Sequence, residues 1–383
     1  MVAGLPHYPS WEVPPEYKWH PFRREIRHGG VEIWRSYLYA SKRATVLARS
    51  AFYGSFTASA ALNLLRSGPA DVLLVISPPP TLNFAAAAFR RLRGAPVVLN
   101  VQDIVPDAPI AFGMMTNPLQ IRLSRWLERY AYTSSDQIVV VADNFVTNLR
   151  AKGVPAEKLS VIHNWIDTDE VRPLERLNPF RTENGIAEAS FLVMYAGNIG
   201  LSQGLEIVLK AANRLRSDPH VAFVLVGGGA SLPDLKAKAH AMHLPNVRFL
   251  PTQREMKWVQ AAADVSLVMQ RSNVLDVNLP SKIPAIMASG RPMVAGVNLA
   301  GDAAGIVRAA DCGIMIEPGN DGQLADAICG LRDSVELRQR LAENGRRYAL
   351  THFSRGPAID AYERVLRNAI AGPGSPQMTY GQA

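Results

Sequence analysis

The chain has 383 residues, 48% apolar and 19% charged, with a formal charge of +8. This is a globular composition with core enough for about two domains, and no apolar run approaches the roughly 18 residues of a membrane span. Residues 1–100 carry twelve Lys and Arg against five acids, which favours an anionic partner such as acidic lipid or a diphosphate, and nucleic acid is set aside because no binding module or interleaved stacking aromatics accompany the charge.

Taken in order, residues 2–5 read as the tail of a strand, followed by a loop at Pro6-His7-Tyr8-Pro9. The stretch 11–27 is rich in Pro, aromatic and basic residues without periodicity and reads as an ordered surface loop. A strand at 31–37 and a helix at 44–66, stopped by Gly68-Pro69, come next. Strands at 71–77, 96–101, 137–141 and 159–163 then alternate with helices at 82–92, at 119–132 and from 143. After a linker at 168–188 the alternation resumes. Strands at 191–196, 222–226, 247–250, 265–269, 293–297 and 313–316 each precede a turn and a helix. Such alternation implies an α/β fold of two doubly wound parallel sheets, with ligands outside the carboxyl ends of the strands. Expected boundaries are 1–170 for the first domain, 171–354 for the second, a closing helix at 355–371 packing back toward the first, and a disordered tail at 372–383. Met1 falls where a second strand should be finishing, so about 35–40 residues of strand, Gly-rich loop and helix are expected to be missing. No signal peptide is legible at the start. Cys312 and Cys329 stand far from other thiols and from paired His, so neither a disulfide framework nor zinc is supported, and a reducing cytoplasm is the expected home.

Three turns of the second domain carry the chemistry. The run 195–204 is a strand end, a glycine turn and a helix start, in which Gly197, Gly200 and Gly204 let backbone approach a phosphate. Asn198 and Gln203 can add neutral donors there. Gly227-Gly228-Gly229 is a second such turn. The third is Pro280-Ser281-Lys282, where a short helix opens after a buried strand and ends at Gly290; its free N–H groups, dipole and lysine suit an anion. One glycine cluster is weak; three turns at neighbouring strand ends make a nucleotide site.

The same residues carry a resemblance. The chain resembles the family 4 glycosyltransferases of the GT-B fold, two Rossmann-like domains facing a central cleft, and within them bacterial enzymes of the colanic-acid and O-antigen type. It does so through residues 4–9, Gln102-Asp103, the run Val161-Ile162-His163-Asn164-Trp165-Ile166-Asp167, residues 195–206 and residues 279–292. The resemblance implies retaining transfer of a sugar from a nucleotide diphosphate donor, UDP-linked by preference, without metal or other cofactor. The implied acceptor is a saccharide or lipid-diphosphate-linked saccharide. Donor-binding roles then fall to Gly197, Asn198, Gly200, Gln203, Gly228, Gly229, Ser281 and Lys282, a reacting-centre role to Asp103 with Gln102, and an acceptor-side role to His7. A cytoplasmic enzyme, peripheral on acidic membrane through Arg23, Arg24 and Arg27, completes the expectation.

The chain departs from the family pattern. Asn198 and Gln203 stand where the family usually has Arg and Lys, Ala285 and Val277 where it has two Glu, and Gln102 where it has a His. A non-catalytic nucleotide-sugar-binding protein and a GT-B-type epimerase therefore stay open as alternatives. Asp167-Thr168-Asp169 matches a metal-binding Asp-x-Asp pattern but lies at a domain boundary, and His240 with His243 lacks a third ligand, so neither is taken as a metal site.

Overall fold

The computed structural model describes residues 1–7, 10–18, 20–43, 45–111, 115–271 and 280–372. Of the expected tail at 372–383 all but Gly372 lies outside them, as do the site positions Val277 to Leu279. The chain divides into two compact units, Met1–Ile162 with the chain from Ala361 onward, and His163–Asp360.

In the first unit, β1 (Val2–Gly4), β2 (Arg23–Arg27) and β3 (Val31–Ser36) form one sheet in the order β1-β3-β2, with β1 parallel and β2 antiparallel to β3. Two expectations need correcting here. The 11–27 loop in fact holds a short helix, Pro15–Lys18, and the whole of β2. Its strand character is hidden because charge replaces apolar alternation: Glu25 meets Arg27 at 3.0 Å and Arg35 of β3 at 3.4 Å, and Arg24 pairs with Glu32. The single parallel sheet expected of this half is also two sheets. The second contains β4 (Leu73–Ser77), β5 (Val97–Val101), β6 (Gln137–Val140) and β7 (Leu159–Val161), all parallel and in chain order. Its centre, β5, is buried on both faces, as parallel strands covered by helices are. Thr45 caps the helix Val46–Arg66 by accepting from the Ala48 N–H at 3.2 Å. The last helix, Arg355–Ala371, places the Tyr362 hydroxyl 2.6 Å from Asn100 Nδ2 at the end of β5.

The second unit is one six-stranded parallel sheet: β8 (Phe191–Ala196), β9 (Val221–Val226), β10 (Val247–Leu250), β11 (Val265–Met269), β12 (Met293–Gly296) and β13 (Gly313–Ile316). The order is β10-β9-β8-β11-β12-β13. Winding reverses between β8 and β11, and sheets of this order have their ligand crevice there, outside the carboxyl ends of the strands. One face of the sheet packs Tyr195, Phe223, Leu267 and Leu324, the other Val268, Ile283, Met287 and Phe353.

The expected linker is packed structure. Asn178 caps the helix Pro179–Glu183, and Arg181, only 2% exposed, donates to Asp264 Oδ2 at 2.6 Å and to the Ala262 carbonyl at 2.9 Å. Asp264 also accepts from the Leu192 N–H at 2.7 Å, so this cluster ties the start of β8 to the start of β11. Replacing Asp264 with Ala strands a buried guanidinium, and the expected loss is about 3–5 kcal/mol of stability. Urea denaturation should show it as a lower midpoint at unchanged slope; an unmoved midpoint would contradict this role.

Candidate functional site

Two backbone turns meet at the crevice of the second unit. Beyond β8 the Gly197 N–H donates to the Val226 carbonyl at 2.9 Å, and the Ile199 N–H to the Gly228 carbonyl at 2.8 Å. The Ser231 N–H returns a bond to the Ile199 carbonyl at 3.0 Å. Glycine is required for this lacing. A Cβ on Gly227 would stand 2.0 Å from the Gly197 carbonyl oxygen, and one on Gly229 would stand 2.4 Å from that of Ile199, both at positive φ. The expected convergence of these turns is therefore present in the geometry.

The polar side chains of the first turn divide their work. Gln203 accepts from the Gly200 N–H at 3.1 Å, so its amide oxygen closes the turn rather than facing outward. Asn198 is exposed, and its side chain lies between Gly200 and Gly229, within 2.7 Å of where a Cβ on either would sit. Its carbonyl accepts from the Tyr195 hydroxyl at 2.6 Å.

Lys282 is the charged member. It begins the helix Lys282–Ala288, and its Nζ lies 3.8 Å from the centroid of the Tyr195 ring and 3.4 Å from where a Cβ on Gly197 would be. The Nζ is buried and has no hydrogen-bond partner among the described residues. Burial pushes its pKa down from 10.5 to about 7. The ring face offsets part of the desolvation, by about 0.5–2 kcal/mol. A buried, unsatisfied ammonium beside two glycine turns is poised to take an anion. The helix itself contributes less than its sequence suggests. It has seven residues, so little dipole accumulates, and the exposed Ser281 at its N-cap makes no capping bond. Ala285 is half-buried on the same helix.

Sequence reasoning missed two neighbours. Tyr195 supplies the surface on which Lys282 rests; its place as the last aromatic before the glycine turn was the available signal. Arg271, two residues past β11, donates its N–H to the Ser202 carbonyl at 2.9 Å, and its guanidinium meets Glu206 at 3.1 Å. Only tertiary packing at the switch point brings it beside the turn.

The remaining predicted residues belong to the first unit. His7 is half-buried, with Nδ1 2.9 Å from the Leu5 carbonyl, and its ring lies 5.1 Å from Phe52 and 5.6 Å from Trp11. Gln102 donates to Asn100 Oδ1 at 3.0 Å, and Asp103 is exposed just past β5. Tyr53 is adjacent to Phe52 at 5.4 Å; burial pushes its phenol up, Arg49 opposes that and the Asp103 charge adds to it. Asp167 accepts from the Asp169 and Glu170 N–H groups at 3.0 Å, which makes it a turn residue. Among the described residues, no three His, Cys, Asp or Glu side chains gather as a metal site would require.

Two family models match the chain: a Glycosyl transferase 4-like domain over residues 6–165, and Glycosyl transferases group 1 over residues 190–334. The protein named colanic acid biosynthesis glycosyl transferase WcaI, from Escherichia coli (strain K12), is 30% identical over 300 residues, covering 76% of this chain and 73% of its own. The protein named glycosyltransferase WbjE, from Pseudomonas aeruginosa, is 27% identical over 70% of this chain and 68% of its own. Among solved structures, Anabaena HepE in complex with UDP superposes with a TM-score of 0.65 at 19% identity, covering 88% of this chain and 85% of that one.

Proposed function

The chain belongs to the family 4 glycosyltransferases, and we propose that it moves a sugar, with retention and without metal, from a UDP-linked donor to a saccharide or lipid-diphosphate-linked saccharide in bacterial polysaccharide or lipopolysaccharide assembly. The observation that carries the donor half is Lys282, a buried cation lacking a partner among the described residues, set against the laced turns at Gly197 and Gly227. As the glycosidic bond to the donor breaks, charge gathers on the departing diphosphate. A cation and fixed donors already aimed there lower the barrier without reorganising. Exposed Asn198 adds a neutral donor, and Asp103 with His7 serves the acceptor and the reacting centre. The class of acceptor and the UDP moiety are supported by the names of the relatives and of the UDP-bound structure.

One observation favours a second reading. Ala285 offers no carboxylate where the family has one, so a protein that holds the nucleotide sugar without turning it over is the alternative. The test separates the two. Incubated with a panel of UDP-sugars and a lipid-diphosphate saccharide acceptor, the enzyme should release UDP and give a product whose anomeric proton coupling matches the donor. Stabilisation by UDP with no release under any donor would leave only the binder.

Peripheral contact with acidic membrane is part of the proposal. Arg23, Arg24 and Arg27, the expected contact, are all ion-paired to Glu25 or Glu32, and a cation already paired within the fold has less to offer a lipid surface. No described helix is long and apolar enough to cross a membrane.

A further inference from the structure

The helix Pro118–Thr133 carries an apolar stripe on the face opposite its buried side. Glu128, Ala131 and Tyr132 point into the first unit and are buried. At about 100° per residue, Leu119, Leu123 and Trp126 form a stripe on the other side, roughly opposite Glu128. There they are 75%, 57% and 53% exposed. An ordinary surface helix carries polar residues on that face.

Arg122 and Arg129 flank the stripe, and Arg125 lies further round toward Glu128, where it and Arg129 line a cavity with Asp107 and Lys152; all three arginines are exposed. Among the described residues none of the three has a carboxylate partner, unlike the arginines of β2. Trp126 is braced by Phe84 at 5.8 Å and by Tyr130 at 6.1 Å, and Phe84 stacks on Tyr130 at 4.4 Å. Phe84 comes from the helix Leu82–Arg93, whose end adds exposed Leu92, Arg91 and Arg93. The helix start is fixed too: Asn117 accepts from the Leu119 and Gln120 N–H groups, so binding through this face requires no prior folding.

We infer that the outer face of the helix Pro118–Thr133 lies on an anionic lipid surface, with Leu119, Leu123 and Trp126 among the acyl chains and Arg122, Arg125 and Arg129 at the headgroup phosphates. The inference rests on the peripheral association proposed above and says which face carries it. Its charge decides the occupant. Cores of protein interfaces are depleted of charge, and a second copy docked two-fold on this face would bring unneutralised arginines together. Lipid headgroups neutralise them, while the leucines and the tryptophan suit the interfacial zone.

The test is co-sedimentation of the full chain with vesicles of phosphatidylethanolamine and phosphatidylglycerol, and with phosphatidylcholine alone. Wild type should bind the anionic vesicles and spare the neutral ones. Leu119→Ser/Leu123→Ser/Trp126→Ser should weaken binding more than about tenfold. Arg122→Gln/Arg125→Gln/Arg129→Gln should weaken it about fivefold per arginine and flatten its salt dependence. Both variants should keep the wild-type melting temperature and its rise with UDP, which separates lost membrane contact from lost folding or lost donor binding. Binding that survives both variants and is lost in Arg23→Gln/Arg24→Gln/Arg27→Gln overturns the assignment of the face and leaves the membrane association standing. Wild type that ignores anionic vesicles overturns both. A dimer in sedimentation that the Leu/Trp variant converts to monomer identifies the face as a self-interface and also overturns the inference.

Discussion

Lys282→Met abolishes most of the stabilisation by UDP while raising the melting temperature of the free protein. The two effects have one cause. In the free fold Nζ is buried over Tyr195 with no hydrogen-bond partner among the described residues, so its charge is a liability until an anion arrives. Met keeps the stem and the contact with the ring and removes the ammonium. Loss of a charge-assisted contact in a water-poor site should weaken UDP about a hundredfold, seen by titration calorimetry, and donor turnover should fall at least as far. A melting temperature that falls along with the affinity would mean that Lys282 is simply structural.

The pH dependence follows from the same group. Lys282 releases its proton at about 7 in the folded protein against 10.5 ordinarily. Between those values the unfolded chain binds more protons than the folded one, so wild-type stability climbs with pH across that window, and the variant's advantage shrinks over it. A bound diphosphate restores the proton. UDP binding therefore takes up a proton near neutrality, and affinity weakens as pH rises above about 7. Calorimetry in buffers of different ionisation enthalpy reads that uptake directly, and Lys282→Met should lack it.

Gly227→Ala has the second large effect, and it acts through backbone alone. The new Cβ would stand 2.0 Å from the Gly197 carbonyl oxygen at a φ of +144, so no side-chain rotation can relieve it. The two turns must part, breaking the bond from the Gly197 N–H to the Val226 carbonyl. Strain and overpacking together should cost about 3–5 kcal/mol, with UDP binding lost. Gly228→Ala is the control: nothing lies within 4 Å of its Cβ position. It should melt like wild type yet weaken UDP, because the methyl enters space that the diphosphate needs. A Gly228→Ala protein with unchanged UDP affinity would place the nucleotide elsewhere.

Much of this was readable in the chain. In the second unit β8 and β9 are continuous apolar runs ended by Gly197 and Gly227, a pattern kept because parallel strands are covered on both faces. The glycine turns were legible at the ends of those runs, and Lys282 at the opening of the short helix that Gly290 ends. β2 was not, since ion pairs with β3 and its own strand stand where a periodic apolar face would have shown. Nor was the Arg181–Asp264 cluster, whose partners are 83 residues apart and acquire meaning only when the entry to β8 meets β11. The outer stripe of the helix Pro118–Thr133 was hidden differently: its leucines fit a helical period, and only the fold shows that Leu119 and Leu123 face away from the core.

The central claim, that the three turns of the second unit hold the donor diphosphate on Lys282, is tested most directly by a crystal structure of the complex with UDP. The account predicts the diphosphate against Gly197 and Gly228, with Nζ of Lys282 drawn off the Tyr195 ring to within hydrogen-bonding distance of a phosphate oxygen. UDP bound away from these turns, or a Lys282 still lying on the ring with the nucleotide in place, would contradict it.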